Sequence, residues 1–454
     1  MYVKHKIVVF LSFLVSLAII AFIIPRILLE FLAYVSILLY TAWGVYHLII
    51  LYAGMKRRSE SEDGIYTKGG IMESNYPKIS IIIPVRSEPI VSRTIEATLL
   101  HNDYPMDRKE IIVVTEDEDM ARIALYYQHR YPENVKVLLR KSYFPTKPSA
   151  LNDALVLCNG DIVGVVDAED ILEHDLLQKV VKVMYTKEYD AVQAILRISN
   201  VNDSWISRLF AIEYAGWFRV WLVGRSRLRL YTPLGGTGNY LKSSVLQEVG
   251  KWDPTNLAED AELAIRLMLG GKRIGVVDAR QWEEAPVTFK AWIKQRSRWY
   301  RGWLQSLWKY VPILVRLSTI KRIGVANTIS TLCMLISPII VAFNYIAYLL
   351  TILWILEYTG ILTTNITDNL FPSYSILPLA FNLIYYLTWF NGASLEGIRY
   401  SIKDILYAFI YMNIMMTLAA YRALYQCIFK DVFWEKTMHE GRGVKWVYDA
   451  QHAR

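Results

Sequence analysis

Cysteine is scarce: Cys158, Cys333 and Cys427 are the only three in a chain of 454 residues. They stand far apart and two lie in apolar stretches, which excludes a disulfide framework and a CxxC metal site. A Walker phosphate loop is missing too, because the glycine-rich turn "LGGTGN" at residues 234–239 lacks the GKS ending. No internal repeat or low-complexity linker interrupts the chain. Charge is thin, at 20% of residues against 54% hydrophobic, and long stretches carry none. That patterning argues against a purely soluble protein.

Residues 7–24 are uncharged and end at Pro25 and Arg26; residues 31–52 form a second stretch whose only ionisable side chain, tyrosines aside, is His47. Each is long enough, at about 1.5 Å per residue, to cross a hydrocarbon core of about 30 Å. The basic opening "MYVKHK" fits a signal peptide, but no small-residue cleavage site follows and a second span arrives at once, so two retained helices are expected. Lys4 and Lys6 precede this hairpin and Lys56, Arg57 and Arg58 follow it, which places both ends in the cytoplasm. The net charge of +8 concentrates beside apolar segments, as at residues 290–322. It is read as a contact with anionic headgroups, and no nucleic-acid partner is expected.

From about residue 59 to 310 the texture becomes β-branched runs alternating with helical periodicity. "KISIIIP" (78–84), "IIVVT" (111–115), "VKVLL" (135–139) and "IVGVV" (162–166) read as buried strands, with helices around residues 93–100, 121–129 and 148–158. This alternation implies an α/β, mainly parallel, Rossmann-like sheet whose ligands sit beyond the carboxyl ends of the strands. Acids cluster at those ends: Glu88 after the first strand, Glu116 to Asp119 after the second, Asp167, Glu169 and Asp170 after the fourth. Any one of them alone reads as the cap of the next helix. Three acidic ends on one sheet read as a site for a hard divalent cation, Mg²⁺ or Mn²⁺, which characteristically neutralises phosphates.

Farther on, "NLAEDAELAIRLML" (256–269) is a helix with Glu259, Asp260 and Glu262 at its front, where acids also suit the macrodipole. "KQRSRWYRGW" (294–303) packs four cations and three indole or phenol rings into ten residues. Alone it reads as an interfacial helix or a single-stranded nucleic-acid platform. On a helix, Gln295, Arg298 and Trp299 stand at i, i+3 and i+4 and share a face.

Taken in order, "IIIPVRSEP", "TKPSALN", "VVDAED", "GGTGN", "LAEDAEL" and "QRSRW", the last supplying a Q-x-x-R-W motif, resemble the membrane-embedded inverting glycosyltransferases of family 2, the group of cellulose, chitin and hyaluronan synthases. "FWEKTMHEG" (433–441) is similar to that family's gating loop. The resemblance implies a GT-A domain inserted between transmembrane segments. Residues 1–58 would be the hairpin, 59–288 the catalytic domain, 289–322 interfacial helices, 323–429 transmembrane helices, and 430–454 a cytoplasmic loop and tail. It further implies transfer from a nucleotide-sugar, a UDP-sugar by preference, with inversion, to a glycan or lipid-linked acceptor.

By the same resemblance, Asp260 is the general base and Asp167 and Glu169 hold the metal, with Asp170 as a further ligand. Glu88 and Glu116 line the nucleoside pocket. Lys147, Asp167 and Arg298 serve the diphosphate, and Lys436 and Thr437 close over the donor. Gly236, Thr237, Glu259, Gln295 and Trp299 face the acceptor, while Trp292, Lys294, Arg301 and Trp303 settle their helix at the membrane surface. The chain departs from the family at Ser87, at Thr115-Glu116-Asp117, at Asp167-Ala168-Glu169 and at Ala258. The first two departures lie where base and ribose are read.

Three uncharged stretches follow, residues 323–356, 375–395 and 405–421. For residues 433–441 to reach a cytoplasmic site, the crossings must be even in number. The 34-residue first stretch, with Pro338 near its middle, is therefore expected to hold two short crossings, unless one of the three segments re-enters. "NIT" at Asn365 matches a glycosylation sequon.

Overall fold

The computed structural model describes residues 26–56, 76–141, 145–361 and 371–430. The expected first span at 7–24, the sequon at Asn365, and Lys436 and Thr437 of the gating-like loop lie outside the described residues. The chain divides into two compact units, Met1–Leu48 with Phe343–Ile384, and Ile49–Ala342 with Tyr385–Arg454. In the first, Tyr40 donates to Asn344 Oδ1 at 2.8 Å, and His47 Nδ1 lies 2.8 Å from the Trp43 carbonyl, so these buried side chains on apolar helices find polar partners within the unit.

The second unit is built on an eight-stranded sheet in the order β3-β2-β1-β4-β7-β6-β8-β5. The strands are β1 (Ile79–Val85), β2 (Lys109–Thr115), β3 (Val135–Leu139), β4 (Ile162–Val165), β5 (Ile171–Leu172), β6 (Ala191–Ile198), β7 (Asn239–Lys242) and β8 (Ile274–Glu283). Isoleucines on both faces of β1 are fully buried, each contributing about 1.5–3 kcal/mol of burial free energy. Helices Val91–Leu100, Glu118–Arg130 and Leu176–Thr186 turn apolar faces onto the sheet.

The first four strands pair in parallel, with β1 between β2 and β4. Strand order reverses at β1, and the crevice at such a reversal is where α/β sheets bind ligands. The rest of the sheet corrects the mainly parallel expectation to a mixed one, because β7 and the short β5 run opposite to the others. Antiparallel β7 matters for the site. Its first residue, Asn239, pairs with Val165, the last of β4, so the preceding glycine-rich turn lies at the carboxyl end of β4. Gly238 makes this turn at φ +64°, a conformation that favours glycine.

The stretch expected to hold two short crossings forms one continuous 34-residue helix, Val325–Tyr358. Pro338 has no N–H for the carbonyl of Met334, and the Ser337 hydroxyl donates to that carbonyl at 2.6 Å instead, which lets the helix run on. Among the described residues, Val325–Tyr345 and Ile402–Phe429 are long and apolar enough to cross a membrane.

Candidate active site

The acids at the strand ends separate by role. Asp117 caps the Glu118–Arg130 helix, accepting from Asp119 N at 2.9 Å, while Glu116 turns to a cavity of about 260 Å³ and meets Arg140 at 3.4 Å. Arg140, which the sequence reading missed, also pairs with Asp153 at 3.2 Å. Glu88 faces the same cavity and accepts from Arg86 N at 3.1 Å across a turn that holds Ser87 at φ +61°.

Lys147 opens the Lys147–Ala154 helix, pairs with Asp167 and donates to the Gly236 carbonyl at 2.8 Å. Burial pulls its pKa down, but Asp167 and Glu259 outweigh burial and hold the ammonium above the ordinary lysine value. Glu169 is buried among like charges. Burial first, then Asp167 and Glu88, raises it well above the ordinary carboxylate range. Asp170 is likewise raised by burial and by Asp167 and Glu169. It does not line the cavity; it accepts from Thr237 Oγ1 at 2.6 Å and Gln281 Nε2 at 2.7 Å and so fixes the glycine-rich turn.

A cation is what would relieve this crowding, so Asp167 and Glu169 fit a Mg²⁺ or Mn²⁺ ion by donor chemistry. Among the described residues no three His, Cys, Asp or Glu side chains form a cage of their own. That suits a metal held by one or two carboxylates together with substrate phosphates.

Gly236 ties the Asp167 side of the cavity to the Asp260 side. A methyl group there would stand 3.6 Å from Asp260 Oδ2 and 3.7 Å from Lys147 Nζ. Asp260 sits in the first turn of the Glu259–Leu269 helix, and its pKa is raised, burial outweighing Ala261 N, Lys147 and Arg298. Glu259 is pushed up to about 7 by burial and by Asp260. Glu262 takes no part: it is bound by Arg266 at 2.8 Å, by Lys309 at 2.8 Å and by Tyr310.

A carboxyl raised on folding binds its proton more tightly in the native state, so the stability it contributes is complete below about pH 4.5 and drains away as pH rises to about 7. Glu259→Gln should therefore flatten the fall of the thermal midpoint between about pH 5 and 7. Parallel melting curves for the two proteins across that window would refute this.

Gln295, Arg298 and Trp299 of the Phe289–Leu314 helix reach the cavity together, as the i, i+3, i+4 spacing predicts. Arg298 donates to the Leu257 carbonyl at 3.2 Å. Burial lowers its pKa despite Glu259, Asp260 and Asp167 nearby, which leaves room for an incoming anion to stabilise the cation. Three of the residues assigned to the membrane surface are elsewhere. Trp292 is fully buried and donates to Tyr411 Oη at 2.7 Å, Arg301 is buried against the Lys430 carbonyl at 2.6 Å, and Trp303 lines the cavity in near-parallel array with Trp217. The reason is packing: this helix is covered on several sides, by the Glu259–Leu269 helix and by the Met416–Phe429 helix.

Its approach to the segment before Asp260 depends on Gly302. A side chain there would press into the Leu257–Ala258 backbone, meeting the Leu257 carbonyl carbon at 2.9 Å. Gly302→Ala is expected to destabilise the fold by about 1–3 kcal/mol through overpacking and to displace Asp260. A denaturation midpoint equal to wild type would show that the contact yields freely.

Of the thirteen site candidates within the described residues, twelve thus line one cavity, Glu88, Glu116, Lys147, Asp167, Glu169, Gly236, Thr237, Glu259, Asp260, Gln295, Arg298 and Trp299, and Asp170, expected as a further ligand, does not, being turned to Thr237 and Gln281 instead. Comparison with known proteins supplies a second line of observation. Residues 77–302 match the family described as glycosyltransferase like family 2. The chain is 30% identical over 277 residues to YdaM, a probable glycosyltransferase of Bacillus subtilis, covering 60% of this chain and 66% of that one. It is 30% identical over 247 residues to a β-monoglucosyldiacylglycerol synthase of Synechocystis, covering 52% and 50%. The matched region thus spans between half and two thirds of the length of these relatives. Among solved structures, the mannosyltransferase PcManGT of Pyrobaculum calidifontis, in complex with GDP-Man and Mn²⁺, superposes with a TM-score of 0.53 at 16% identity, over 88% of this chain and 99% of that one.

Proposed function

We propose, from the match of residues 77–302 to the family described as glycosyltransferase like family 2, that the chain moves a sugar from a nucleotide-sugar, a UDP-sugar by preference, to a glycan acceptor with inversion at the anomeric carbon. The observation that carries this reading is the meeting at Gly236 of the Lys147–Asp167 pair and Asp260, which brings a cation suited to a diphosphate and a carboxylate suited to a base to one small space.

In this scheme Glu88 and Glu116 line the nucleoside end. Asp167 and Glu169 are the residues that would hold Mg²⁺ or Mn²⁺, whose chemistry there is Lewis-acid neutralisation of the leaving diphosphate. Lys147 adds a point charge and Arg298 a planar fork for the same oxygens. Gln295 and Trp299 seat the acceptor so that Asp260 takes the proton of its hydroxyl as the oxygen attacks the anomeric carbon and the carbon–phosphate-oxygen bond breaks. Repeated transfer, with the product passing through membrane helices from a cytoplasmic catalytic domain, is the fuller form of the proposal.

One observation favours a second reading, single transfer to a lipid acceptor: Trp217, Phe218, Trp303 and Met334 make an apolar wall in the cavity, and Met334 belongs to an apolar helix long enough to span a bilayer. The 30% identity to a glucosyldiacylglycerol synthase points the same way. Nucleoside diphosphate release by the purified chain, screened over a panel of nucleotide-sugars with Mg²⁺ or Mn²⁺, tests both readings against a non-catalytic membrane protein, for which no donor would be cleaved. Product length on a gel then separates polymer from glycolipid.

A further inference from the structure

The "KQRSRW" stretch carries two arginines two residues apart, and the scheme above uses only Arg298. Arg296 is buried and its Nη2 donates to Glu213 Oε2 at 2.6 Å. That carboxylate oxygen also accepts from the Tyr411 hydroxyl at 2.7 Å, and Tyr411 Oη in turn accepts from Trp292 Nε1 at 2.7 Å. The Arg296 guanidinium carbon lies 4.6 Å from the centre of the Trp299 ring and 5.5 Å from that of Trp292.

One cation thus joins a carboxylate to the acceptor platform. Burial opposes the charge, yet Glu213, together with Tyr411 and Tyr300, outweighs burial and holds Arg296 above the ordinary arginine value. The backbone is irregular at both ends of the chain of contacts. A π-helical turn, Ala215–Trp221, begins two residues after Glu213, and another, Tyr411–Met415, begins at Tyr411 itself. Wide turns of this kind aim side chains that a regular helix would turn away, and they concentrate at functional sites. A buried ion pair is weak evidence for stability, because apolar replacements often serve as well; fixing one conformation is its better-attested use.

We propose that Glu213, Arg296 and Tyr411 are positioning residues for Trp299, coupling the Ile402–Phe429 helix to the acceptor platform through an Arg296–Trp299 cation–π contact. Arg296 and Glu213 line the same cavity, and in this proposal their part is to hold Trp299 while the diphosphate stays with Arg298. The inference rests on the glycosyltransferase reading for its consequence but not for its geometry.

The test uses the full chain in detergent micelles, labelled with 5-fluorotryptophan, with the Trp292 and Trp299 resonances assigned through Trp292→Phe and Trp299→Phe. Arg296→Leu would strand the Glu213 carboxylate and endanger folding, so the informative variant is Tyr411→Phe, which deletes one hydroxyl. The Trp292 resonance should shift because its partner is lost, and the Trp299 resonance should shift or broaden although Tyr411 reaches it only through Glu213 and Arg296. In turnover of UDP-glucose or GDP-mannose with octyl β-glucoside as acceptor, the acceptor KM should rise about tenfold and the donor KM should change less than about twofold. A Trp299 resonance that stays put while that of Trp292 moves overturns the inference, and so does an unchanged acceptor KM. A wild-type chain that cleaves neither donor counts against the transferase reading, and the spectra still decide the network.

Discussion

Asp260→Asn should cut sugar transfer by about 10²–10⁴-fold, the usual contribution of a positioned general base. Nucleotide-sugar binding should meanwhile hold within about twofold, since asparagine keeps the shape and the Ala261 N hydrogen bond. The assignment has a close rival in Glu259, whose pKa of about 7 lies nearer the value that suits a general base at neutral pH. Two features favour Asp260. Its Oδ2 would lie 3.6 Å from a methyl group on Gly236, and Nζ of Lys147, the partner of Asp167, would lie 3.7 Å from the same methyl group; Asp260 is also part of what raises Glu259. Glu259→Gln should therefore leave a measurable fraction of transfer, with an altered pH profile, whereas Asp260→Asn should leave almost none. Single-turnover rates decide it: near wild-type transfer by the asparagine variant with a dead Glu259→Gln would reverse the two roles.

The parts of the fold that were legible in the sequence are those where burial alone dictates residue type. Strands β1, β2 and β4 are rich in β-branched residues because both faces are covered, the half-exposed edge strand β3 keeps an apolar run broken by Lys136, and the ends of all four fall within a few residues of the sequence reading. Strands β6 and β8 escaped notice because each carries a glutamine with no solvent exposure, Gln193 and Gln281, that breaks the apolar run. Those glutamines are not defects of the strands. Gln193 accepts from Gly235 N at 2.7 Å and donates to the Thr237 carbonyl at 3.0 Å, and Gln281 donates to Asp170 and to Thr237 Oγ1 at 2.7 Å each. They hold the turn that presents Gly236, so the same residues that blurred the strands build the site.

Similarly, helical spacing grouped Gln295, Arg298 and Trp299 correctly, but spacing says nothing about what covers the other faces. Trp292, Arg301 and Gly302 owe their surroundings to contacts with Tyr411, Lys430 and Ala258, two of them more than 100 residues away. Local pattern carries no trace of such partners. Arg140 shows the same limit, since its link to Glu116 is set by the Thr115–Leu139 register between β2 and β3.

Stripping divalent cations with EDTA should lower donor cleavage by about 10²–10³-fold, as expected from losing a Lewis acid that stabilises the leaving charge by several kcal/mol, and Mn²⁺ or Mg²⁺ should restore it. Asp167→Asn and Glu169→Gln should each reproduce the loss without rescue at ordinary metal concentrations. The pH dependence has a definite sign. Burial, Asp167 and Glu88 raise Glu169, so the proton competes with the cation over a wider range than for an exposed carboxylate, and the metal concentration needed for half activity should rise as pH falls. Lys147 sets the opposing expectation. It already neutralises Asp167 and it cannot be chelated away. If activity survives EDTA with metal analysis showing a cation-free protein, then Lys147 and Arg298 suffice to carry the diphosphate charge. Asp167 would in that case serve to hold Lys147 in place, and Lys147→Met would become the substitution that abolishes cleavage.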